Sequence, residues 1–127
     1  MMGMVLAIAA GGAVGSVARY GTMVWLGRWL GTGFPYGTLA VNVIGGFVMG
    51  VLIEAMALAW SPSETMRVFL TVGILGGFTT FSTFSLDAWY LIQRGDVALG
   101  ALYIVASVIL SIGGLVAGLY LTRVVVA

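Results

Sequence analysis

The sequence contains no cysteine and no histidine. Disulfides, thiol nucleophiles and the usual zinc sites are thereby excluded. It also contains no lysine. Its basic residues are five arginines (Arg19, Arg28, Arg67, Arg94 and Arg123), against the acidic Glu54, Glu64, Asp87 and Asp96. Charged residues make up 7% of the chain, where a soluble domain carries about 25%. That is too little charge to solvate 127 residues of which 61% are hydrophobic. A net charge of +1 with no basic cluster excludes an electrostatic nucleic-acid binder. No acid–base pair, nucleophile–base pair or metal cluster suggests an enzyme.

Apolar runs fill the space that charge leaves. A membrane span needs about 20 mostly apolar residues, and four such stretches follow one another: roughly 4–29, 36–60, 64–93 and 97–125. Gly31-Thr32-Gly33-Phe34-Pro35 separates the first two. Ser61-Pro62-Ser63-Glu64 separates the second and third, with Ser63 a candidate N-cap. Trp25, Trp29, Trp60 and Trp89 fall near span ends, as in an aromatic belt. The N-terminal run lacks a positive n-region and continues past Arg19, which suits a span better than a cleaved signal. The expectation is an all-α membrane protein with four transmembrane helices, residues 1–127 forming a single domain. Twenty glycines suit close helix packing.

Four spans place both termini on one side, with Arg67 and Arg123. Arg28 and Arg94 lie on the other side, with Arg19 buried nearer to them. Arginine and lysine asymmetry orients a membrane protein, and here the two sides nearly balance. The expected outcome is insertion in both directions, giving an antiparallel, dual-topology homodimer; the alternative is a weak bias settled by other factors.

The third span carries Gly73-Ile74-Leu75-Gly76-Gly77-Phe78-Thr79-Thr80-Phe81-Ser82-Thr83-Phe84-Ser85. Glycines and hydroxyls make poor helix interior. A glycine packing face accounts for Gly73 and Gly77 but not for the run from Thr79 onward, so a break at mid-membrane is expected. Unwound backbone there must meet protein, water or an ion. On the second span Thr38, Asn42, Gly45, Gly46 and Met49 share a face, and on the fourth Tyr103, Ser107, Ser111, Gly114 and Gly118 do so. Asn42 as interhelical glue is one reading. Aligned with Tyr103, Ser107 and Ser111, it reads better as part of a donor track for a small anion. The positive ring edges of Phe81 and Phe84, spaced i, i+3, can add to that track. For Glu54 and Asp87, toward span ends, the plain expectation is partnership with an arginine.

The stretches Gly11–Tyr20, Gly37–Gly45 and Gly76–Ser85 together resemble the bacterial fluoride-channel family (Fluc, or CrcB) along the whole chain. The resemblance implies an antiparallel dimer with two pores for passive, selective export of fluoride across the bacterial inner (plasma) membrane. It implies a structural Na⁺ at the dimer centre, held by main-chain carbonyls of Gly76 and Thr79 from each subunit. It implies that Phe81 and Phe84 line the pores, that Asn42 binds or orients the anion with Arg19 nearby, and that Tyr103, Ser107 and Ser111 continue the polar track with Thr38 and Thr80 as adjuncts. The partners implied are a second copy of the chain, the fluoride ion and the lipid bilayer. A small multidrug transporter, the nearest rival, needs an embedded carboxylate in the first span, whose only charge is Arg19.

Overall fold

A computed structural model describes residues 1–126, and helix is the regular structure among them. Helix α1 runs over Met2–Leu30 and α2 over Tyr36–Leu58. The third span, Glu64–Gln93, is assembled from pieces, and the last helix covers Val97–Val126. All four are long and apolar enough to cross a membrane. Even the shortest, 23 residues, reaches about 35 Å at ~1.5 Å per residue, more than a hydrocarbon core of about 30 Å.

Local chemistry sets the ends. Gly31 stops α1 with φ at 79°, a left-handed value that glycine adopts without strain. The second span was expected to reach residue 60. Its helix ends at Leu58, and the N–H groups of Ala59 and Trp60 both fall back on the Ala55 carbonyl. Pro62 follows closely and disfavours helical backbone at Ser61. Ser63 Oγ accepts a hydrogen bond from the Met66 N–H at 3.1 Å, capping the next helix.

The third span begins as α3 (Glu64–Val68), widens into a seven-residue π turn (Phe69–Leu75) and returns briefly to α4 (Gly76–Phe78). Thr79 and Thr80 are then extended, with φ/ψ of −89°/157° and −151°/122°. Helix resumes as α5 (Phe81–Gln93), followed by α6 (Val97–Val126). The break is narrower than the glycine content suggests. Gly73, Gly76 and Gly77 stay helical, because Gly73 and Gly77 lie against the α1 backbone at Gly11 and Gly12, where no side chain would fit.

Helix α1 packs chiefly on the first half of the third span, and α2 packs chiefly on α6. The second contact also depends on missing side chains. A Cβ on Gly46 would lie 2.7 Å from the Ser111 carbonyl oxygen, and one on Gly50 would strike the Leu115 carbonyl. Gly50→Ala should therefore cost about 1–3 kcal/mol by forcing α2 off α6. Gly113→Ala, with nothing within 4 Å, should be neutral or slightly stabilising. Thermal unfolding of the two variants in detergent checks the contrast, and equal midpoints would refute it.

Candidate functional site

A groove of about 410 Å³ runs between α2, the broken third span and α6. Asn42 and Gly45 of α2 line it, with Gly76, Thr79, Thr80, Phe81 and Phe84 of the third span and Ser107 and Ser111 of α6. The break builds one wall. Where a helix would pair Thr80 internally, Asn42 takes over: its Oδ1 accepts from the Thr80 N–H at 2.8 Å, and its Nδ2 donates to the Thr80 carbonyl at 3.0 Å. An amide offers both functions at the spacing a peptide presents, so one side chain satisfies both open backbone groups. Thr80 Oγ1 in turn accepts from the Thr83 N–H at 3.2 Å and caps α5.

Phe81 and Phe84 stand 5.5 Å apart between ring centroids, at 49°. Phe84 is buried, whereas Phe81 is 78% exposed on the single chain. Beyond Phe84 comes Tyr103, fully buried, with ring centroids 5.2 Å apart. Ser107 lies in the groove wall, its hydroxyl oxygen buried and without a hydrogen-bond partner among the described residues. A buried hydroxyl left open carries a desolvation cost.

Asp87 corrects the sequence reading. It pairs with no arginine among the described residues; its Oδ2 accepts from Thr38 Oγ1 at 2.7 Å and from the Tyr103 hydroxyl at 3.3 Å. Asp87 and Thr38 also line a second cavity of about 200 Å³. Thr38 therefore faces this cavity and does not line the groove, and Asp87 links it to Tyr103. The signal was present: Asp87 follows Phe84 by three residues and shares its face of α5. Glu54 does pair with an arginine, accepting from Arg123 at 2.7 Å and 3.1 Å. Arg19 does not line the groove. It reaches from α1 to the third span, its Nε donating to the Gly77 carbonyl at 3.0 Å.

The family model described as "CrcB-like protein, Camphor Resistance (CrcB)" matches residues 6–119. The chain belongs to the CrcB family. Its relatives within that family include a protein from Rhodospirillum centenum named fluoride-specific ion channel FluC, 56% identical over 126 residues, covering 99% of this chain and 100% of the relative. Proteins of the same name from Nitrobacter winogradskyi and Agrobacterium fabrum are each 53% identical, over 95% and 91% of this chain and 96% and 93% of theirs. These CrcB relatives are named as channels, not enzymes.

The backbone at the break of this CrcB chain fits a Na⁺ of the kind the resemblance implies. The helical donor for the Gly76 carbonyl would be the Thr80 N–H, which goes to Asn42. For the Thr79 carbonyl it would be the Thr83 N–H, which goes to Thr80 Oγ1. Two carbonyls are thus released from helix pairing on residues that line the groove. Oxygen donors of this type suit a hard cation. Among the described residues no cluster of acidic side chains offers an alternative metal site.

Proposed function

We propose that this protein is a fluoride-selective channel, working as an antiparallel homodimer of dual topology in the bacterial inner membrane. The observation that carries the reading is the groove itself. Asn42, Thr80, Ser107 and Ser111 present polar groups at mid-span, beside an exposed Phe81. Polar side chains in a wall that faces lipid tails are costly, and non-helical backbone at that depth must be covered by protein or water. A second copy supplies the cover. An isologous contact repeats every feature, so each dimer carries two pathways. The names of the CrcB relatives support fluoride as the ion.

The chemistry agrees with a small, strongly hydrated anion. Hydroxyls and amide N–H groups replace its water, and aromatic edges exclude bulk solvent. The unpartnered Ser107 hydroxyl is a donor awaiting such an ion. The Gly76 and Thr79 carbonyls of the two copies would hold the Na⁺, which would there neutralise the carbonyl dipoles that the break leaves unpaired. Transport is passive, and an inside-negative potential drives an anion outward by about 2.3 kcal/mol per 100 mV.

Liposomes loaded with fluoride or chloride and carrying the purified protein provide the test. Fast fluoride efflux with negligible chloride efflux is expected, and equal or absent fluxes would sink the reading. Phe81→Ile should lower fluoride efflux roughly tenfold by removing a ring edge, with the dimer still intact on a sizing column. Single cysteines placed beside Arg28 and Arg67 should each label from both sides of the membrane.

A further inference from the structure

The aromatic rings do not stop at Tyr103. Phe34, in the loop between α1 and α2, meets Tyr103 edge-on with centroids 5.5 Å apart at 87°, and Tyr36 follows Phe34 at 4.9 Å. Tyr103 therefore sits between two rings, Phe84 on one side and Phe34 on the other. It also sits between two spaces: the groove, with Phe84 and Ser107 in its wall, and the 200 Å³ cavity lined by Thr38, Asp87 and Phe34. Tyr103 is fully buried and lines neither; it packs on Phe84 from the groove wall and on Phe34 from the cavity wall. Its bond to Asp87, at 3.3 Å, is long for an O–H donor. A weak hydrogen bond does not fix a ring, whereas two flanking aromatics do.

The loop that carries Phe34 has no regular structure. A tie crosses from the turn between α5 and α6: Arg94 donates through one terminal guanidinium nitrogen to the Gly33 carbonyl at 2.6 Å. Its Nε donates to Asp96 at 2.7 Å, which orients the guanidinium. Arg94 is 46% exposed and touches none of the pathway groups, so its leverage is on the residue next to Phe34.

We propose that Phe34 is a positioning residue that holds the Tyr103 ring between the groove and the second cavity, and that Arg94 acts through it by pinning the Gly33 carbonyl. The inference rests on the channel reading and names a further determinant of the same pathway. Removing the Phe34 ring frees Tyr103 to turn, so that its hydroxyl leaves the line between Ser107 and Asp87.

The experiment is fluoride efflux from vesicles for Phe34→Ala, Arg94→Ala, Arg94→Lys and the Phe34→Ala/Arg94→Ala double variant. Phe34→Ala should lower the rate about tenfold and Arg94→Ala about threefold, in keeping with loss of an aromatic pair and of one exposed hydrogen bond. Arg94→Lys, which keeps a donor, should recover much of the loss. The decisive reading is the double variant, which should be no slower than Phe34→Ala, because a residue acting through another adds nothing once that residue is gone. Losses that multiply would overturn the role given to Arg94. If Phe34→Ala does not assemble, hydrogen exchange of the amides of residues 31–37 in Arg94→Ala replaces it. Faster exchange together with slower flux supports the clasp, and wild-type behaviour in both overturns it. A conducting wild type with an equally conducting Phe34→Ala defeats this inference alone, whereas a wild type that carries no fluoride defeats the channel reading as well.

Discussion

Asn42→Ala is expected to reduce fluoride efflux by about two orders of magnitude. The substitution leaves the Thr80 N–H and carbonyl, held at 2.8 and 3.0 Å by the Asn42 amide, open at mid-membrane. Each unsatisfied backbone group costs about 1–3 kcal/mol, and roughly 3 kcal/mol in total corresponds to a hundredfold rate change. To recover those bonds the chain must rebuild helix through Thr79 and Thr80. The Thr80 N–H would then return to the Gly76 carbonyl, taking up an oxygen proposed for the Na⁺ and removing the groove wall. Asn42→Asp separates this account from a simple anion-binding role. As a carboxylate it accepts from the Thr80 N–H but sets a second oxygen against the Thr80 carbonyl, so it should fail as badly as alanine. Vesicle efflux recorded with a fluoride electrode gives the answer, and near-normal flux in Asn42→Ala would mean that the break is held by other contacts.

Arg123→Leu should be the most destabilising of the charge substitutions. Glu54 is only 9% exposed at its side chain, while Arg123 is 56% exposed. Removing the arginine strands a buried carboxylate, at a cost of about 3–5 kcal/mol, whereas replacing both members by apolar groups is often close to neutral. The pair also ties α2 to the end of α6, with Arg123 lying over the Tyr120 ring at 5.2 Å. Unfolding in detergent should show Arg123→Leu well below wild type and Glu54→Leu/Arg123→Leu restored most of the way. A single variant as stable as wild type would show that Glu54 does not need its partner.

Much of this architecture was legible because each span is written in composition. Twenty-odd apolar residues in succession, bounded by Gly31 or Pro62, leave few alternatives to a helix crossing a membrane. The break was legible as a region but not as a position. Glycine content pointed to 73–85, while the unwinding is confined to Thr79 and Thr80. Gly73 and Gly77 owe their place to α1, and that is a tertiary fact no local propensity records. The polar faces of α2 and α6 could be drawn from helical spacing alone. Which residue answers which across helices could not: Asn42 meets Thr80 across 38 positions, and Thr38 meets Asp87 across 49. The arginine guess succeeded for Glu54 and failed for Asp87 for one reason. A carboxylate near a span end finds whatever donor the fold delivers, and at Asp87 that is a hydroxyl pair. Phe34 read as turn punctuation beside Pro35, and only its contact with Tyr103 reveals more.

The π turn at Phe69–Leu75 sets the rotational phase of the rest of the third span. A π turn holds one residue more than the α turn it replaces, and the surplus is absorbed upstream of the break. Were the stretch to straighten into α-helix with no residue removed, everything after it would swing by about 100° around the axis. Thr80 would then turn away from Asn42, and Phe81 and Phe84 would leave the groove. The turn is thus a phase adjuster: one residue lost within it is absorbed by a return to α-helix, whereas one lost from the plain helix after it would rotate the groove wall.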